Sequence, residues 1–434
     1  MKLNYRRTFF VGLAFLSICS FWQMYDNIIP LMLKNTFGLG ETLTGVIMAA
    51  DNAFALFLLP IFGMLSDKTD TPLGKRTPFI LFGTIASVIA MTFIPIANSK
   101  ANLTLFIVFL GITLITMGSY RSSAVALMPD LTPKPLRSKA NAVINLMGAI
   151  GGVYTLLMVK FLVKKDKSET VDYLPLFLSV AAIMLVAVFI LISAIREKRL
   201  SGQIAKEAEK TGKTDTAQVQ NSAVVTNDEG MSKAVKRSFL FILASIFLWF
   251  TAYNAVTTAF SRYVQQVWHL QEGGFANPLL VATIAAICSY IPIGIISSKI
   301  GRKKTIIAGI VMMTLSYLSG TLLVNYSPVI NVIFAFTGIG WAAINVNSYP
   351  MVVEMSKGSN IGKYTGIYYL FSNLAQIITP ILSGFLLEYV SYRTLFPYAV
   401  FFSVASLCTM LLVKHGDSRP MKKADILENF DTAD

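Results

Sequence analysis

Charge is scarce in this sequence. Of its 434 residues, 14% are Asp, Glu, Lys or Arg, against about 25% in ordinary soluble domains. Most of the chain is therefore built for a solvent other than water. Cysteine (3) and histidine (2) are scarcer still. Cys19, Cys288 and Cys408 each stand alone in an apolar run, which excludes a disulfide framework or a thiolate metal centre and leaves small packing residues. His269 and His415 are too few and too peripheral for a metal site or a histidine relay. No G-x-x-x-x-G-K-[ST] segment occurs, so a phosphate-cradling loop and ATP as driving force are excluded. No nucleophile–base pairing is visible either, and neither an enzyme nor a cofactor is expected.

What is present is apolar length. The chain is 54% hydrophobic, with a mean hydropathy of +0.61, and a helix crossing a bilayer needs roughly 20 apolar residues. By that measure twelve spans are expected, over 8–33, 42–65, 78–97, 103–127, 140–163, 173–195, 239–263, 277–299, 305–324, 328–351, 362–387 and 394–413. The formal charge of +14 is a topology signal and not a nucleic-acid footprint. Lys2, Arg6, Arg7, Lys75, Arg76, Arg137, Lys139, Arg196, Lys198, Arg199, Arg302, Lys303, Lys304, Lys357, Lys363, Lys422 and Lys423 all fall on one side of an even-numbered topology. The opposite loops are poor in Lys and Arg except at Lys164, Lys165 and Lys167. The positive-inside rule then puts both termini in the cytoplasm of a multi-pass protein of the cell membrane. The basic start followed by an apolar run mimics a signal peptide, but the run is too long and contains Asp26, so it reads as the first span.

The chain is organised as a duplicate. G-M-L-S-D-K-T-D-T-P-L-G-K-R-T-P-F begins at Gly63, and the shorter G-I-I-S-S-K-I-G-R-K-K begins at Gly294, each between two apolar runs. After the fourth span Asp130 precedes Lys139 by nine residues, and after the tenth Glu354 precedes Lys363 by nine. The polar segment 197–237 cannot bury enough apolar surface to order itself fully. Four parts are expected: a six-helix bundle over 1–196, a cytoplasmic linker over 197–237, a second six-helix bundle over 238–415 and a cytoplasmic tail over 416–434. Parallel repeats of this kind are a transporter plan, with substrate held near mid-membrane.

The paired turns resemble those of the major facilitator superfamily over nearly the whole chain, and the resemblance implies its all-α fold of two pseudo-symmetric six-helix bundles. Six residues separate Asp67 from Gly74, where the general superfamily form is shorter. This long form is similar to the sucrose/proton symporter branch, and less so to the glycoside–cation symporters of the melibiose type. In the latter, two acids one turn apart flank a proline of the second span. Here Pro60 is present, Leu59 and Ala55 occupy those places, and the acid is Asp51. That departure favours a proton over sodium. The resemblance extends to Arg121, shortly before Asp130-Leu131, although at longer spacing. It implies that Asp67, Lys75 and Arg76 make charge contacts stabilising an outward-facing state, together with Gly63, Gly74, Asp130, Arg302 and Glu354 as gating residues. In the second copy Ser298 replaces the acid, so that gate is expected to be weaker.

Ionisable groups inside spans are costly and so are functional candidates. Asp26 and Asp51 lie about 10 and 13 Å from the outer ends of their helices, counting residues along the axis. Two carboxylates at one depth resist ionising together, as proton coupling needs; the plain alternative is a bond to Asn27, Asn52 or backbone. Arg121 can bind sugar hydroxyls, pair at an inner gate, or snorkel to the cytoplasmic face. A sugar needs polar groups beside an aromatic platform, and Trp22, Gln23, Tyr25, Asn145, Tyr253, Asn254, Asn345, Asn373 and Gln376 supply these, although each alone is more often helix-packing glue. Gly111, Gly118, Gly148, Gly151 and Gly152 are expected to permit close helix approach. The expected function is proton-coupled uptake of a disaccharide or α-glucoside by a protein acting as a monomer. An exporter of drugs or metabolites on the same fold, or a non-transporting membrane sensor, are the alternatives.

Overall fold

Where the hydropathy rises, the chain is helical. The computed structural model describes residues 3–132, 136–163, 171–202, 233–271, 273–355 and 361–416. Within these lie twelve helices long and apolar enough to cross a membrane. They are α1 (Tyr5–Asn35), α2 (Glu41–Lys68), α3 (Thr77–Ser99), α4 (Leu103–Asp130), α5 (Arg137–Leu162), α6 (Leu174–Ala194), α7 (Lys233–Trp268), α8 (Ala276–Ile300), α9 (Arg302–Leu322), α10 (Val329–Glu354), α11 (Ile361–Tyr389) and α12 (Leu395–Leu412). Residues 197–202 continue in a further helical turn after α6. Lys164, Lys165, Lys167, Lys357, Lys422 and Lys423, the side chains of Glu354 and Lys363, and most of the linker and tail lie outside the described residues.

Local chemistry sets several boundaries. Asn102 caps α4, its side chain accepting from the Leu105 N–H at 3.0 Å. Proline stands in the first turn of α3 and of α6, where its missing N–H costs nothing. Helices run past the apolar runs that foretold them: α7 starts six residues earlier and ends five later than 239–263. Polar residues end a hydropathy window without ending a helix, because the backbone bonds of a helix are satisfied within it whatever solvent surrounds them.

Two compact units divide the chain: Met1–Met24 with Ala53–Ala223, and Tyr25–Asn52 with Val224–Asp434. The boundary cuts through α1 and α2, whose facing ends, Tyr25–Asn35 and Glu41–Asn52, belong with the second unit. Within the first unit α3 packs on α4 and α6, and within the second α9 packs on α10 and α12. The pairing of α8 with α10 has its counterpart where α2 meets α4, the Ser122 hydroxyl donating to the Leu59 carbonyl at 2.8 Å. The pairing of α7 with α11 is matched where α1 meets α5: a Cβ on Gly151 would stand 2.1 Å from the Leu16 carbonyl oxygen. Gly111 has open space around it and serves no close approach. The duplication read in the turns thus extends to which helices touch.

The outer faces are apolar. Phe57, Phe82, Phe189, Leu322 and Phe401 are exposed, as side chains meeting acyl chains are. Cys288 and Cys408 are exposed as well, while Cys19 is half-buried. The packing role expected for the first two is corrected: both sit on helix surfaces, where a thiol is apolar enough for lipid.

Candidate functional site

The turn joining α2 to α3 is closed by its own residues. Gly74 holds a φ of +118°, a backbone conformation that glycine adopts without steric cost, and its carbonyl accepts from the Thr71 hydroxyl at 2.6 Å. This turn swings Arg76 inward until its side chain is only 6% exposed. Its Nε donates to Asp130 Oδ2 at 3.0 Å and its Nη1 to the Gly63 carbonyl at 3.2 Å. The remaining donors meet the Ser66 hydroxyl and the Asp67 carboxylate. Lys75 Nζ lies 3.2 Å from Asp130 and 4.0 Å from Asp67. Five of the gating residues read from the sequence, together with Gly63 through its carbonyl, are therefore one constellation tying α2, α3 and the end of α4.

One member was not legible. Glu197, assigned to the linker, is buried, and its carboxylate accepts the backbone N–H groups of Lys75, Arg76 and Thr77 at 2.8–3.1 Å and the Thr77 hydroxyl at 2.7 Å. It caps the start of α3, where orphan N–H groups and the helix dipole both favour an anion. The signal available was an acid three residues after the last apolar position of α6.

The second turn repeats the backbone with different side-chain contacts. Gly301 has a φ of +98°. Ser298, in the acid's place, donates back to the Ile295 carbonyl of its own helix at 2.7 Å. Lys303 Nζ donates to the carbonyls of Leu411 and Val413 at 3.1 and 2.6 Å. Each turn is thus fastened to the segment following the last helix of its unit, once by an acid on helix N–H groups and once by a cation on helix carbonyls. Arg302 is half-buried.

At the opposite membrane face the second unit holds a cluster that sequence reasoning missed. The Glu41 side chain is 1% exposed and that of Arg262 5%, with Nε and Oε2 2.5 Å apart. The Tyr392 hydroxyl donates to Glu41 Oε1, Arg262 Nη1 to the Thr258 carbonyl at 3.0 Å, and Lys34 Nζ stands 3.9 Å from Glu41. One turn away Glu388 accepts the Thr42 N–H at 2.7 Å. The starts of α2 and the 3-10 turn Tyr392–Thr394 are thereby bound to the ends of α7 and α11. The available signal was Arg262 inside an expected span, on the face poor in basic residues, needing an acid.

The polar groups inside the spans fall into two sets. In the first unit the Arg121 guanidinium lies 5.8 Å from the ring centroid of Trp22, and Gln23 Oε1 lies 3.4 Å from where a Cβ on Gly152 would stand. Arg121 takes no part in the Arg76 cluster, and Asn145 is half-buried. In the second unit Tyr25 is buried, and Asp26 and Asp51 belong to the same unit. Asp51 accepts from Asn52 Nδ2 at 2.8 Å. Tyr253 stacks on Trp341 with centroids 3.7 Å apart and planes at 3°. Asn254 Nδ2 is buried with no hydrogen-bond partner among the described residues. Asn345 is buried and Asn373 and Gln376 are half-buried. Among the described residues no group of His, Cys, Asp and Glu is arranged to hold a metal ion.

Comparison with known proteins fits this geometry. A family model described as Major Facilitator Superfamily matches residues 11–291 and 279–428. An uncharacterized MFS-type transporter of Mycobacterium tuberculosis (strain ATCC 25618 / H37Rv) is 23% identical over 195 residues, 43% of this chain and 27% of that protein. The matched stretch thus spans about a quarter of the length of the curated relatives. Among solved structures, the nucleoside transporter NupG is similar with a TM-score of 0.68 at 13% identity, covering 94% of this chain and 100% of that one. The peptide transporter POT gives 0.69 at 12%, covering 95% of each. The inward-open xylose transporter XylE from E. coli gives 0.66 at 15%, covering 96% of each. At these identities the likeness is one of fold.

Proposed function

We propose, from the premise that the chain belongs to the Major Facilitator Superfamily, that this membrane transporter takes up a sugar, a disaccharide or α-glucoside, together with a proton. The observation that carries the reading is the character of the polar groups inside the spans. Each unit by itself sets an aromatic platform with polar donors: Arg121 over Trp22 in one, and in the other the stacked Tyr253–Trp341 pair and Asn254, whose amide nitrogen has no hydrogen-bond partner among the described residues. The rings match a sugar's apolar face and the fork and amide its hydroxyls. A neutral polyol satisfies Asn254 without bringing in a charge that would need a counter-ion.

Asp26 and Asp51 are the proton carriers in this reading. Both belong to the second unit, and two carboxylates at similar depth in neighbouring spans resist ionising together, so protonating one relieves the repulsion. The Arg76 constellation and the Glu41–Arg262 cluster, on opposite membrane faces, are the gates: each ties an arginine to carboxylates that must part for its face to open. Protonation and sugar binding from outside, closure of the Glu41–Arg262 face and opening of the Arg76 face make one transport cycle. The distribution of basic residues read from the sequence supports a cytoplasmic Arg76 face in this reading, in a protein of the cell membrane.

The test is uptake of labelled disaccharides into liposomes carrying an imposed proton gradient, with Asp26→Asn beside the unaltered protein. Asp26→Asn is expected to abolish accumulation against the sugar gradient while leaving sugar–sugar exchange intact. Accumulation that persists in the variant with an unchanged pH optimum would overturn the coupling role. Efflux of dyes with no sugar flux would replace uptake by export.

A further inference from the structure

A concave pocket of about 650 Å³ lies where α6 leaves the membrane, beneath the turn that joins α2 to α3. Three cations, Arg196, Lys198 and Arg199, line it together with Pro72, Leu73 and Ile192. All belong to the first unit. The span of α6 ends at Ala194, so these cations directly follow the apolar span and Ile192 belongs to its last turn. Leu73 is 47% exposed, an apolar side chain presented where an acyl chain would begin.

The acids nearby are already engaged. Asp70 pairs with Lys198 at 2.8 Å. Glu197 is turned inward on the start of α3. Asp67 and Asp130 hold Arg76 and Lys75. Arg196 and Arg199 are exposed, and neither guanidinium makes a hydrogen bond or ion pair to another described residue. Cations that merely obey the positive-inside rule need no pocket and no apolar wall. Here two guanidinium groups unpaired among the described residues, whose planar forks match phosphate oxygens, share one concavity with an aliphatic side just past the end of the apolar span.

We propose that this pocket is a binding site for an anionic phospholipid, its phosphate held by Arg196 and Arg199 and its acyl chain along Ile192 and Leu73. Basic pockets between spans bind such headgroups. The apolar wall selects a lipid over a free phosphate, which needs none. A lipid seated here braces the end of α6 against the α2–α3 turn, next to the Glu197 cap. The site is separate from the groups assigned to sugar and proton, so its fate and theirs are independent.

The test uses the full chain in nanodiscs or detergent, with phosphatidylglycerol binding followed by native mass spectrometry and by displacement of a fluorescent analogue. Phosphatidylcholine, inorganic phosphate and glycerol 3-phosphate are the comparison arms. Saturable phosphatidylglycerol binding is expected, weakened about fivefold by Arg196→Gln or Arg199→Gln and about thirtyfold by both. Phosphatidylcholine and the two soluble phosphates should not displace the analogue. Leu73→Glu sets a carboxylate at the rim without touching either arginine and is expected to weaken binding too, which keeps the proposal testable should the double variant fold poorly. Unchanged affinity in the double variant or in Leu73→Glu overturns the site. Displacement by glycerol 3-phosphate as effective as by the lipid overturns its assignment to a lipid.

Discussion

Two buried arginines, Arg76 in the first unit and Arg262 in the second, hold carboxylates at opposite faces of the membrane, and they differ in how well water can replace them. Around Arg76, Asp67 is 56% exposed and Asp130 23%. Around Arg262, Glu41 is 1% exposed. Both clusters set a guanidinium on a carboxylate, and both draw on neighbouring hydroxyls, Ser66 in one and Tyr392 in the other. Burial separates them. A carboxylate stripped of its partner at the Arg76 face can rehydrate, whereas at the Arg262 face it is left sealed in protein, where an isolated charge is most costly.

The largest effect should therefore follow Arg262→Ala. Breaking a buried pair by removing one partner costs about 3–5 kcal/mol, and the unfolding temperature in detergent should fall accordingly. Adding Glu41→Gln to that variant removes the stranded charge and should recover a large part of the loss. If Arg262→Ala and the double variant unfold at the same temperature, burial is not what distinguishes the two faces. Arg76→Ala should cost less, roughly 1–3 kcal/mol, because Lys75 stays 3.2 Å from Asp130 and Asp67 already meets solvent. The contrast is sharpened within the cluster: Asp130→Asn should destabilise more than Asp67→Asn, in the order of their burial, in the same thermal measurement.

The difference between the clusters is also a difference in legibility. Gly63, Asp67, Gly74, Lys75 and Arg76 lie within fourteen consecutive positions of one turn, so local spacing announces that they work together. Glu41, Arg262 and Tyr392 come from three distant segments, and no spacing rule links them; only the packing of α2, α7 and the turn before α12 does. Glu197 was hidden for another reason. It belongs to a run whose composition reads as solvated, and composition averages over the one side chain that turns inward. The twelve helices were legible because apolar runs of span length have few alternatives, and their ends were not, since helices extend past the bilayer. The span polar groups were legible as residues that lipid should not meet. Which of them face one another was not, since Arg121 by sequence suited a gate as well as a ring, and lies against Trp22.

Smaller effects test whether the two turns are equivalent copies. Gly74→Ala should cost about 1–3 kcal/mol, the range for a side chain forced into a sparsely populated backbone region, and its Cβ would also stand 2.3 Å from Glu197 Oε2. Combining it with Glu197→Ala removes the collision but not the backbone strain, so the two losses should sum to more than the double variant shows. Additive losses would mean that the turn gives way instead.

The smallest expected effect belongs to Lys303→Ala. Lys303 donates to two carbonyls at the end of α12, but it is half-exposed, and water can take over both acceptors. A cation at a helix C-terminus contributes about 0.3–1 kcal/mol, and the variant should lose no more than that. The comparison is with Glu197→Gln, which weakens the matched fastening of the first unit. There a buried carboxylate serves three backbone N–H groups and a hydroxyl at once, and an amide has one acceptor oxygen where the carboxylate had two. Its loss should exceed that of Lys303→Ala in thermal unfolding of the purified protein. If Lys303→Ala is the more damaging, the cation on helix carbonyls is the stronger fastening, and the duplicate that lost its acid is not the weaker of the two.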